Sequence, residues 1–172
     1  TDPDNGDDTN GDQTINYTVS VDLTPSDGGS VSPADTTIEE GENVELQATA
    51  NSDYVFTHWS GDVDSTSNNP HTLTVDQDYN VTANFALTTY ELTVNTEGKG
   101  SVNEEVLEQK SKEYEHGTVV ELTANPAEGY RFVEWQGDVT GTDNPAQITI
   151  DNPKEVTAVF EKKSYALTVN TK

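Results

Sequence analysis

Acidic side chains are the first candidates for chemistry in this sequence. Asp8-Thr-Asn10-Gly-Asp12 carries the alternating oxygen donors of a calcium loop. A full loop of that kind runs D-x-[DN]-x-[DN]-G on to an acidic twelfth position. Here the glycine falls one place early and no Glu follows in register, so an acidic linker is the competing reading. Asp62 and Asp64, with Asp76 and Asp78, form a second candidate calcium set. The matching segment later in the chain keeps Asp138 and Asp151 but has Thr140 and Pro153 in the other two places. Calcium is the one cofactor the sequence offers.

Other chemistry finds less support. His58, His71 and His116 lack zinc-ligand spacing, and the chain has no Cys. Nucleophile elbows, phosphate loops and dinucleotide fingerprints are missing. A glycosidase fixes two carboxylates in a concave site, and small β modules offer no large cleft. No catalytic residue is assigned and the chain is read as a non-enzyme. The remaining candidates are aromatic. Tyr54-x-Phe56-x-x-Trp59-x-Gly61-Asp62 returns as Tyr130-x-Phe132-x-x-Trp135-x-Gly137-Asp138. Each indole either seals a core or presents a stacking face to a sugar or peptide.

Charge narrows the partners. The 172 residues hold 32 Asp+Glu and 8 Lys+Arg, a formal net charge of −24. Residues 1–90 carry 17 acidic residues and no Lys or Arg. Such a surface repels phosphate, which argues against nucleic acid and anionic lipid. Apolar runs fall far short of the roughly 18 residues of a membrane helix, so no membrane insertion is expected. Met is also absent and the first residue is Thr1, so removal of an N-terminal segment is the expectation.

The elements that must position these residues come in copies. Residues 1–14 hold no apolar side chain and read as a disordered acidic leader. Tyr17-Thr-Val-Ser-Val21 then returns as Tyr90-Glu-Leu-Thr-Val94 and as Tyr165-Ala-Leu-Thr-Val169. Gly29-Ser-Val31 matches Gly100-Ser-Val102, Asn69-Pro70 matches Asn144-Pro145, and Val81-Thr-Ala83-x-Phe85 matches Val156-Thr-Ala158-x-Phe160. Module 1 is therefore placed at 15–87, module 2 at 88–163, and the first strand of a third repeat at 164–172. Apolar residues alternate with polar ones, as in Val44/Leu46/Ala48 and Val81/Ala83/Phe85, which marks half-buried strands. The spacing predicts an all-β fold of two tandem small antiparallel β modules of about 75 residues, with five or six strands each. Trp59 lies three residues beyond Phe56, which breaks the alternation and predicts a bulge or a strand end. Glu104 to Lys112 could add one helical turn. The four-residue linkers between Phe85 and Tyr90 and between Phe160 and Tyr165 lack Gly and Pro, which predicts a stiff array.

The string Gly117-Thr-Val-Val-Glu-Leu-Thr-Ala-Asn-Pro-Ala-Glu-Gly-Tyr-Arg-Phe-Val-Glu-Trp-Gln-Gly-Asp138 and the ending Val156-Thr-Ala-Val-Phe160 resemble the divergent B-repeat of internalin-type bacterial surface proteins, the listeria–bacteroides repeat group. The resemblance implies a β-grasp-like module with a helix; the residues show no helical spacing and leave a small sandwich open. It further implies a secreted or surface-anchored bacterial protein whose tandem copies act as spacer, stalk or adhesin, with no common catalytic site. The expected partners are neighbouring repeats of the same chain, and beyond them a surface glycan or protein, or copies of the chain itself. Two alternatives stand beside the stalk: a glycan- or protein-binding module, and a fibre subunit assembled by strand donation from residues 165–172, with Tyr165, Leu167 and Val169 as the donor face.

Overall fold

The computed structural model describes residues 13–107 and 114–169. Two compact units divide the chain, residues 1–86 and 87–172. The alternating segments of the first unit form seven strands: β1 (Asn16–Thr24), β2 (Gly29–Ser32), β3 (Thr36–Glu39), β4 (Asn43–Ala50), β5 (Tyr54–Gly61), β6 (His71–Thr74) and β7 (Tyr79–Leu87). The second unit repeats them as β8 (Thr89–Tyr90), β9 (Leu92–Glu97), β10 (Gly100–Val106), β11 (Tyr114–Glu115), β12 (Thr118–Pro126), β13 (Tyr130–Gly137), β14 (Ala146–Ile150) and β15 (Lys154–Lys162). Helices are absent among the described residues, so the helix-bearing β-grasp gives way to a sandwich. Of the expected helical turn, Glu104 to Val106 lie in β10, and residues 108–113 fall outside the described residues.

In the first unit, a sheet ordered β3-β1-β7-β5 faces a sheet ordered β2-β4-β6. In the second, β13-β15-β9 and β10-β12-β14 take the same places, with β11 and β8 paired beside them. One feature departs from the antiparallel expectation. The first strand runs parallel to the last, with Val19 opposite Tyr79 and Thr24 opposite Asn84, and again with Leu92 opposite Lys154 and Glu97 opposite Val159. Side-chain alternation has the same period in either direction, so it is blind to strand polarity. A parallel pair needs a long crossover, and here the whole intervening unit supplies it. Each unit is thus closed by its own two ends.

The inward faces meet in two separate cores. Val19, Val44, Leu46, Ala48, Trp59, Val75, Val81, Ala83 and Phe85 form one. Val120, Leu122, Ala124, Trp135, Ile148, Ile150, Val156, Ala158 and Phe160 form the other. Modules this small bury only about 60% of their unfolded surface, so fixed polar contacts carry weight. The Asn-Pro repeat supplies one. β4 pairs with β6 from Asn43 to Leu46, and beyond that the Asn69 side chain continues the ladder. Its Oδ1 accepts the Ala48 N–H at 2.9 Å and its Nδ2 donates to the Ala48 carbonyl at 2.7 Å. Asn144 does the same to Ala124, at 2.8 Å in both directions. Removing it leaves a strand N–H and C=O without partners, at about 1–3 kcal/mol per group. Asn144→Ala is therefore expected to cost roughly 3 kcal/mol, read as a lowered urea midpoint of the second unit. An unchanged midpoint would contradict the ladder role.

Tyr114 of β11 contributes a pH-dependent contact. Its hydroxyl donates to Glu104 Oε2 at 2.8 Å. Burial first, and then that carboxylate, push its pKa up to about 12. The folded state thus holds the phenol proton more tightly than the unfolded chain. This stabilisation is complete below pH 10 and is lost as pH rises from there through about 12. Ultraviolet titration is expected to find one tyrosine ionising late, and Tyr114→Phe is expected to remove that step.

Candidate functional site

The repeated aromatic motif is the only constellation present at matching positions in both units, and it is built from β5 and β13. Tyr54 and Phe56, like Tyr130 and Phe132, are half-buried along the strand, and the indole follows out of alternation. In the second unit the pairing of β13 with β15 shifts register between Phe132 and Glu134, a bulge that turns Trp135 inward. Trp59 is 0% exposed and Trp135 is 1% exposed. Phe56 lies 5.1 Å from Trp59 at 55° and 5.8 Å from Phe85 at 72°. The second unit repeats this, with Phe132 5.1 Å from Trp135 at 55° and 6.0 Å from Phe160 at 64°. Tilted and edge-on contacts of this kind suit the ring quadrupoles. No indole face is open to a sugar or peptide.

Each indole also holds the loop that follows it. Trp59 Nε1 donates to the Asn68 carbonyl at 2.9 Å, and its backbone N–H donates to the Thr66 carbonyl at 2.7 Å. Trp135 Nε1 donates to the Asp143 carbonyl at 2.8 Å, and its backbone N–H to the Gly141 carbonyl, also at 2.8 Å. The held loop delivers Asn69 or Asn144 to its ladder position.

The Gly-Asp pair ends the motif as a clamp on the last strand. Gly61 and Gly137 have φ of +101° and +94°. A Cβ on either would run into the carbonyl oxygen of Asn80 or Glu155. The Asp62 N–H donates to the Asn80 carbonyl at 2.8 Å, and Asp62 Oδ2 accepts the Asn80 N–H at 2.8 Å. Asp138 and Glu155 exchange the same two bonds at 2.9 and 2.7 Å. The carboxylate therefore works as a strand cap.

The calcium candidates are scattered by these duties. Asp8, Asn10 and Asp12 lie outside the described residues. Asp62 is engaged with Asn80; Asp76 accepts the Tyr79 hydroxyl at 2.7 Å; Asp78 accepts the Thr18 N–H at 2.8 Å. Asp62 and Asp64 border an open groove of about 300 Å³ that also meets His71 and Tyr79. Among the described residues, no group of three or more His, Cys, Asp or Glu is placed to hold a metal ion. Tyr165, Leu167 and Val169 stand 83%, 89% and 72% exposed, and residues 163–169 form no strand.

The roles of Asn69 and Asn144 escape a sequence reading, which sees a turn at Asn-Pro. The recurrence of the dipeptide at the same place in both copies is the signal that marks them.

This duplicated geometry meets its counterpart in comparison with known families. The model of the divergent InlB B-repeat domain matches residues 17–89 and again residues 90–164. The chain belongs to this family. Comparison with curated proteins and with solved structures returns no match. The boundary between the two B-repeats falls between Thr89 and Tyr90, immediately before β9. Divergent InlB B-repeats are repeat domains of bacterial surface proteins and are not a known enzyme family.

Proposed function

We propose that the chain is a non-catalytic spacer segment that carries other parts of a secreted or surface-anchored protein outward from a bacterial cell. The observation that carries this reading is the use made of the repeated motif. Its indoles, its Gly-Asp clamp and its Asn ladder are all consumed inside each B-repeat, where they hold strands and loops. Nothing that recurs between the copies is left facing outward as a shared reactive group. Four-residue linkers without Gly or Pro add little slack between units.

A spacer acts through length and number of repeats rather than through particular surface residues. A reporter displayed on a bacterial cell beyond residue 172 is expected to become less accessible to a bulky probe when one B-repeat is deleted. Substitutions on exposed loops are expected to leave access unchanged. A reporter indifferent to repeat number, together with glycan-array binding that loop substitutions abolish, would replace the spacer with a binding module.

The charge of −24 sets the solution behaviour of such a segment. Like charges on one compact surface repel, and salt screens them over about 10 Å at 0.1 M. The melting temperature is expected to rise as sodium chloride is added from 10 mM to 500 mM. A flat or falling curve in calorimetry would contradict the repulsion argument.

A further inference from the structure

Beyond the spacer reading, we propose that residues 162–169 of one copy dock as an added strand in a groove of the first unit of a second copy. The segment departs from the rest of the chain. It follows Glu161 as Lys-Lys-Ser-Tyr-Ala-Leu-Thr-Val, and no acidic residue occurs from 162 to 172. Its sequence has strand alternation, yet it pairs with nothing. Tyr165, Leu167 and Val169, the alternate apolar residues, are the three most exposed large hydrophobics described. An unpaired strand-forming segment with an apolar face is a ready participant in strand addition. Its root is tied down, since the Lys163 N–H donates to the Gly129 carbonyl at 2.8 Å.

The receiving groove lies beside β1. On the side away from β7, β3 pairs only with Asn16 to Val19, so Ser20 to Thr24 have no strand there. Asp35 Oδ1 accepts the Val21 N–H at 2.8 Å and stands in for the first missing bond. Next to this open edge, Val21, Leu23, Ser30, Val31 and Ala34 line a groove of about 230 Å³. Val21 and Leu23 lie two residues apart, the spacing of Leu167 and Val169, so apolar side chains from an added strand meet apolar walls. The second unit has Thr96 where the first has Leu23, and Glu105 where it has Ala34, so the apolar lining belongs to the first unit.

Charge selects the pairing. The first unit lies within a stretch of 90 residues that has no Lys or Arg, and Asp22 and Asp35 stand exposed by the groove. Lys162 and Lys163 would arrive against that field. Donor and acceptor sit on different units, so the contact is heterologous and can propagate from copy to copy. One short strand buries far less than the 1,200 Å² or so of a stable interface, so the association is weak and reversible.

The absence of Cys makes the test clean. A full-length chain carrying Ser30→Cys is mixed with a mass-tagged chain carrying Thr168→Cys and oxidised gently at low salt. The mixed disulfide is expected to exceed both like-with-like products, and to fall at least tenfold when Leu167→Asp is added or when salt is raised to 500 mM. Leu167 is solvent-exposed, so that substitution leaves the fold intact. Statistical pairing of the three products, or insensitivity to Leu167→Asp, would overturn the proposal. So would a chain carrying both cysteines that closes on itself as a monomer, which would make its own first unit the occupant.

Discussion

Trp135→Ala is expected to unfold the second B-repeat while the first stays folded. Trp135 is 1% exposed, packs against Phe132 and donates through its indole to Asp143. Truncation opens a cavity that the flanking sheets cannot close, and it releases the loop that delivers Asn144. Large-to-small changes of this type cost about 3–5 kcal/mol. A module of this size has a total stability of only about 4–11 kcal/mol, so the loss is a large share of it. Urea unfolding followed by Trp59 fluorescence reports the first unit, and far-ultraviolet circular dichroism reports both. The fluorescence midpoint is expected to hold near its wild-type value while about half of the dichroism is lost at lower urea. Loss of both signals together would mean that the cores are not separate.

Gly137→Val is expected to be nearly as severe, for a different reason. At φ +94° a β-branched side chain is strained, and its Cβ meets the Glu155 carbonyl oxygen. That same carbonyl accepts the Asp138 N–H, so relief of the clash breaks the clamp that starts β15. The combined cost is expected to be about 3 kcal/mol or more. Gly129 and Gly141 provide the comparison. Both have positive φ, at 78° and 105°, but a Cβ at either meets nothing within 4 Å. Alanine at those two positions is expected to cost about 1 kcal/mol, from backbone conformation alone. Denaturation midpoints for Gly137→Val, Gly129→Ala and Gly141→Ala separate the two contributions. Equal losses at all three positions would leave the clamp without support.

The duplication, the all-β class and the strands themselves were legible because period-two alternation of Val, Leu, Thr and Phe is a direct consequence of a pleated, half-buried backbone. The out-of-step Trp59 and Trp135 were legible for the same reason, since a residue that breaks alternation yet recurs in both copies has to be re-aimed. Strand direction was not legible, and the parallel contact between β1 and β7 had to come from the fold. The acidic residues were the least transparent. Asp62 reads equally as a turn residue, a calcium ligand or a cap, and only the position of the Asn80 N–H decides among them. Asn69 and Asn144 act through side-chain amides that imitate backbone, a role that leaves no periodic trace.

The central claim is that each B-repeat is closed by its own first and last strands around one indole. Pulling the chain from its two ends in an optical trap tests this most directly. The account predicts two separate unfolding events, each releasing roughly 20–25 nm of extended chain for about 75 residues. A single event releasing both lengths at once, in every trace, would contradict it.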